Sequence, residues 1–181
     1  MTRDDGRTPL VRPLRVDDIK DDTSGEVAAT LAEMSVIARV LDLLALNCLT
    51  LKYQLARGAE GRLHLSGRLT AQVKQTCVVS LEAVEASIDV PVEVDFWPAP
   101  LFEVLQHSAE EPGHTGLLDW PEPIVDGKID LGPVLYETLA TTLDPYPKLE
   151  GASFTWSQEG AEPPEPSKTG PFAALKALKR R

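Results

Sequence analysis

Hydrophobic and polar positions along the chain change period twice. From Glu26 to about Leu46, Val27, Leu31, Met34, Ala38, Leu41 and Ala45 recur at spacings of three or four, and Val40, Leu43 and Leu44 widen the stripe. That period predicts an amphipathic helix over 26–46. Thr23 or Ser24 can cap it, with Glu26 in the first turn where the helix dipole favours a negative charge. The period then drops to two. Leu49, Leu51, Tyr53 and Leu55 alternate with polar residues, 57–61 reads as a turn, and Leu63, Leu65, Gly67, Leu69, Ala71 and Val73 carry the alternation back. This predicts a long antiparallel hairpin, with a bulge or bend at Gly67. A third strand over Ala86–Phe96 alternates through Ile88, Val90, Val92 and Val94.

The ends and connections are less regular. Residues 8–17 alternate loosely, and Pro9 and Pro13 suit a short edge strand. Residues 97–128 read as a long, mobile connection rich in proline and acid, with six acidic residues and no Lys or Arg between Glu103 and Asp126. Asp130 can cap a second helix over 130–143, with Pro133 in its first turn and Leu131, Val134, Leu135, Thr138, Leu139 and Leu143 on its buried face. Asp144-Pro145-Tyr146-Pro147 stops that helix, since neither proline can continue it. Residues 157–170 have the composition of a disordered linker. Residues 171–181 return to a helical pattern with a basic side.

The expectation is a single α+β domain over 1–156, followed by the linker 157–170 and the basic amphipathic segment 171–181. A small, twisted antiparallel sheet or partly closed barrel would be covered by two main helices, one over 26–46 and one over 130–143.

Composition narrows the chemistry. A net charge of −10 argues against a surface that coats nucleic acid as a whole, because phosphate binding is driven by Lys and Arg. Cys48 and Cys77, the two cysteines, exclude a small disulfide scaffold and a four-cysteine zinc site. His64, His107 and His114 show no ligand spacing, so no metal and no cofactor is expected. The longest apolar stretch, Val36–Leu46, contains Arg39 and Asp42 and is too short to span a bilayer. Residues 2–7 are polar, so a soluble, cytoplasmic protein without a membrane partner is expected.

Three segments in order resemble the YceD family of large ribosomal RNA subunit accumulation proteins. Gln75-Thr76-Cys77-Val78-Val79-Ser80-Leu81-Glu82 is similar to the family's first signature. Lys128–Phe154 resembles the second, through Asp130, Leu131, Gly132, Glu137 and the stop Asp144, Pro145, Tyr146 and Pro147. The tail 171–179 is similar to the family's C-terminus. The resemblance extends over roughly 8–181 and is closest to the alphaproteobacterial branch. Many relatives outside that branch carry a C-terminal cysteine cluster, whereas no cysteine follows Cys77 here, and Glu33-Met34 stands where close relatives often show Glu-Arg.

The resemblance implies a cytoplasmic, non-enzymatic factor for processing or accumulation of large-subunit ribosomal RNA precursor, or for assembly of the preribosome. Two surfaces could do such work. One is basic: Lys52–Ser80 carries five Lys or Arg against one acid, and Arg62, His64, Arg68 and Lys74 share one strand face. Lys176, Lys179, Arg180 and Arg181 extend the charge at the tail. Both could meet RNA phosphates. The other surface would hold a basic large-subunit ribosomal protein without touching RNA, through Glu110, Glu111 and Asp119 in the acidic connection; Tyr146 and Lys148 beside the helix stop could also be presented to a protein partner. Cys77 reads as a buried packing thiol, and Asp144–Pro147 reads first as a rigid stop with Tyr146 packed beneath it. No nucleophile–base pair or phosphate-cradling loop is present, and catalysis is not expected.

Overall fold

The computed structural model describes residues 9–20, 23–109 and 120–153, with 107–109 as backbone only. Seven strands and three α-helices run in the order β1 (Pro13–Arg15), β2 (Thr23–Ala28), α1 (Leu31–Val40), β3 (Ala45–Arg57), β4 (Leu63–Thr76), β5 (Ala83–Pro98), α2 (Ala99–Ala109), β6 (Glu122–Ile124), β7 (Lys128–Asp130) and α3 (Leu131–Thr142). The main sheet has the order β2-β3-β4-β5-β6 and does not close; β1 and β7 form a separate antiparallel pair. All neighbours in the main sheet are antiparallel except β5 and β6, which are parallel. The fold is thus α+β around an open, mixed sheet.

The hairpin is the backbone of this arrangement. Its alternation puts Leu49, Leu51, Leu55, Leu63, Leu65 and Leu69 on one face, each at most 1% exposed. Met34, Ile37 and Ala38 of α1 and Leu131, Val134, Leu135 and Leu139 of α3 share that core. Each such leucine contributes roughly 2 kcal/mol on removal from water. Gly67 stays in register opposite Tyr53 rather than forming a bulge. A Cβ there would lie 2.6 Å from the Lys52 carbonyl oxygen, so the glycine permits close approach of β3. The register shift in this ladder falls between Leu46 and Cys48.

The predicted helix over 26–46 is shorter in the structure. Thr23–Ala28 is a strand paired with Thr50–Leu55, and α1 covers only Leu31–Val40. Those six residues also alternate, and pairing them satisfies main-chain groups along the side of β3 that would otherwise be bare. The cap is Thr30 and not Thr23 or Ser24. Its hydroxyl accepts from the Glu33 amide while the Glu33 carboxylate accepts from the Thr30 amide, a reciprocal capping box. Asp42, with φ of 54°, turns the chain into β3. Leu31, assigned to the buried stripe, is 82% exposed.

The connection 97–128 also holds more structure than its composition suggests. α2, β6 and the start of β7 lie within it. Leu101, Phe102 and Leu105 give α2 a half-covered side, and Phe102 meets Trp120 edge to face at 6.5 Å. Acid and proline at 110–126 obscured this short helical period. The second predicted helix agrees with α3, and Asp130 is its N-cap, accepting from the Gly132 amide.

Candidate functional site

Two surfaces emerge where the sequence placed candidates: the open face of the sheet and its tip. On the open face, register decides the electrostatics. Glu26 lies opposite Lys52, Lys52 opposite Arg68, His64 opposite Asp95 and Lys74 opposite Glu85. Lys74 Nζ sits 3.0 Å from Glu85, His64 Nδ1 lies 2.7 Å from Asp95, and the Arg68 guanidinium donates to Asp89. The Asp89 carboxylate raises the Arg68 pKa further above its ordinary value. Lys52 is 3.9 Å from Glu26. Arg62 pairs with Glu60 at 2.8 Å and stacks on Trp97 with its guanidinium carbon 4.1 Å from the ring centre.

The stripe of Arg62, His64, Arg68 and Lys74 is real as a line of side chains, but each member has an acidic partner. Across the face, Lys52, Arg62, Arg68 and Lys74, with His64, stand against Glu26, Glu60, Glu85, Asp89, Glu93 and Asp95. The excess of positive charge counted along Lys52–Ser80 is thus offset by carboxylates supplied from β2 and β5.

The tip is built from the turn between β4 and β5 and the segment after α3. The Gln75 side-chain amide donates to the Asp144 carbonyl at 3.0 Å, and the Val78 amide to the Pro147 carbonyl at 2.9 Å. Within the turn, the Cys77 amide donates to the Glu82 carbonyl and the Leu81 amide to the Cys77 carbonyl. Leu81 has a φ of 62°, the left-handed region, and its side chain is 77% exposed.

Cys77 is fully buried, and its Sγ accepts from the Ser80 and Leu149 amides, each at 3.4 Å. The Ser80 hydroxyl and these amides hold the thiol below its usual range, at about 6, against the effect of burial. The Asp144 carboxylate accepts from the Tyr146 amide, which shapes the helix stop. Pro147 is the residue buried there; Tyr146 is 76% exposed, so the reading in which its ring packs beneath the stop is replaced by one in which it faces outward. Val78, Leu81 and Tyr146 leave the tip with exposed apolar side chains.

A polar junction that the sequence did not indicate lies at the helix starts. Arg12 makes a bidentate pair with Glu33 at 2.8 and 2.7 Å and also donates to the Ala28 carbonyl, while its amide donates to Asp130 at 2.6 Å. The Arg12 hydrogen bond holds the Glu33 carboxyl at about 2. Asp130 is thereby committed to the Arg12 and Gly132 amides, which is structural work. Glu137 lies exposed on α3, and its negative charge adds to burial in raising the Glu122 pKa. Glu110, Glu111, His114, Asp119, Lys176, Lys179, Arg180 and Arg181 lie outside the described residues, as do the segments 157–170 and 171–181; of His107 only the backbone is described.

The family described as large ribosomal RNA subunit accumulation protein YceD matches residues 65–179, more than half of the chain. The chain belongs to the YceD family. The matched span takes in most of β4, the tip and α3, so both signature segments fall inside it and are bonded to each other. Neither a curated protein nor a solved structure matches the chain. Membership ties the chain to large-subunit ribosomal RNA accumulation, a role in ribosome biogenesis. Among the described residues, no helix is long and apolar enough to cross a membrane.

Proposed function

We propose that this YceD-family chain supports accumulation of large-subunit ribosomal RNA as a non-catalytic factor that holds a basic protein of the preribosomal particle, with its open sheet face not used as an RNA clamp. The observation that carries this reading is the charge-paired face: Arg68, Lys74 and His64 are engaged by Asp89, Glu85 and Asp95, and carboxylates outnumber cations across it. Phosphate binding draws its affinity from cations that release counterions. An RNA strand laid on this face would have to displace carboxylates already in place and then lie beside them. A basic protein meets the opposite condition, since excess carboxylate attracts it and speeds encounter. The exposed Val78, Leu81 and Tyr146 at the tip add apolar area of the kind protein interfaces use. Direct contact of precursor RNA through Lys176, Lys179, Arg180 and Arg181 is the competing reading.

Purifying the tagged full chain from its own cells, with and without nuclease, separates the two. A basic large-subunit protein retained after nuclease treatment supports the proposal. Loss of every bound protein on nuclease treatment contradicts it.

A further inference from the structure

β5 spans sixteen residues, Ala83–Pro98, yet its two sides are covered unequally. β4 pairs with it from Ala83 to Phe96, whereas β6 reaches only Phe96–Pro98. Among the described residues, no strand pairs with Ala83–Asp95 on that second side. The strand therefore presents a row of main-chain donors and acceptors long enough to template another strand. Pro91, midway along, suits an edge, because a strand bonded on both sides does not accommodate a residue without an N–H.

Side chains define which strand would fit. Glu85, Asp89, Glu93 and Asp95 all project from the open face. Glu93 stands opposite Ser66 and has no ion-pair partner among the described residues. On the other face, Val84, Ile88, Val90 and Val94 are only half-buried, so an added strand with apolar residues there would remove more of their surface from water. A second copy of the chain pairing antiparallel through the same edge would bring this acidic row against itself, and like charges facing across strands are destabilising.

We propose that the edge of β5 left unpaired among the described residues takes up, by strand addition, an extended segment of a basic protein in which Lys or Arg alternates with apolar residues. This rests on the reading that the chain acts by holding a protein. Main-chain hydrogen bonds supply the affinity, and alternation of charge and apolar groups supplies the selectivity.

The test titrates the full chain with a synthetic peptide alternating Val and Lys, following amide exchange along β5 and peptide anisotropy. The peptide is expected to bind, and alternate amides between Ala83 and Asp95 to gain protection. Two further peptides carry N-methyl groups on the two alternate sets of amides. One should lose at least about tenfold in affinity and the other little, because only one set faces the protein strand. Glu93→Lys should weaken the parent peptide by about fivefold, and a Val–Glu peptide should not bind.

Equal binding of both methylated peptides, or an edge already protected in the free chain, overturns strand addition at β5. Tight binding of the Lys peptide without β5 protection overturns the edge but leaves the protein-holding reading intact. Failure of the peptide to bind also overturns the edge, and the nuclease purification then decides the wider reading independently.

Discussion

The Val78 amide donates to the Pro147 carbonyl at 2.9 Å, and through that bond the two signature segments of the family become one structural unit. The Cys77 sulfur sits beside this bond and receives amides from both segments, Ser80 from one and Leu149 from the other. An acceptor lost from a buried site leaves its donors without partners, and that costs more than the bond contributed.

Cys77→Ala is therefore expected to lower the urea midpoint by about half a molar or more, without a change in far-UV circular dichroism. A variant with an unchanged midpoint would remove the sulfur from its bridging role. Burial also separates acidity from reactivity. Although Cys77 is held at about 6, it has no exposed surface, whereas Cys48 is partly exposed. A thiol reagent on the native chain at neutral pH should modify Cys48 first and reach Cys77 only after urea is added.

The Arg12–Glu33 pair predicts a pH dependence with a definite sign. The folded Glu33 carboxyl is held at about 2, below its ordinary value of 4.5, so the unfolded chain takes up the proton first. The stabilisation is fully present above about pH 4.5 and is lost as the pH falls toward 2. Stability measured by urea unfolding should fall less steeply across that window in Glu33→Gln than in the parent chain. At pH 7, a double-mutant cycle with Arg12→Ala should give a coupling of about 1 kcal/mol, in keeping with a bidentate but partly solvated pair.

Gly132 tests the packing of α3 on the N-terminal segment. A Cβ there would lie 2.0 Å from the Leu10 carbonyl oxygen, which is main chain and cannot swing aside. Gly132→Ala is expected to cost about 3 kcal/mol or more, read from chemical denaturation. A loss below about 1 kcal/mol would mean that the segment around Leu10 is not seated as described.

Much of the architecture was legible in the sequence because local rules and the final fold agree. Asp130 caps α3, Asp144–Pro147 ends it, and the alternation through Leu49–Val73 gives the hairpin and its buried face. Thr23–Ala28 misled because its residues suit both a helical stripe and an alternating strand; only the bare side of β3 decides between them. The candidate site was half legible. Parity places Arg62, His64, Arg68 and Lys74 in line, and the same parity in β5 places Glu85, Asp89, Glu93 and Asp95 in line. What sequence parity does not supply is the register that sets Lys74 beside Glu85 and His64 beside Asp95. That register follows from the turn at 77–82, whose conformation depends on contacts with residues near 147. Arg12 and Glu33 are joined only by tertiary packing, and no local pattern links them.

RNA affinity across a salt series shows whether the cations of the charge-paired face are free to meet phosphates. A large-subunit ribosomal RNA fragment is titrated into the parent chain and into Arg68→Gln with Lys74→Gln, and log K is followed against log salt. Each cation that contacts a phosphate contributes about one unit of slope. Because both cations are engaged by Asp89 and Glu85, the same affinity and the same slope are expected for the two chains. A slope about two units shallower in the variant, with weaker binding, would contradict the charge-paired reading of this face.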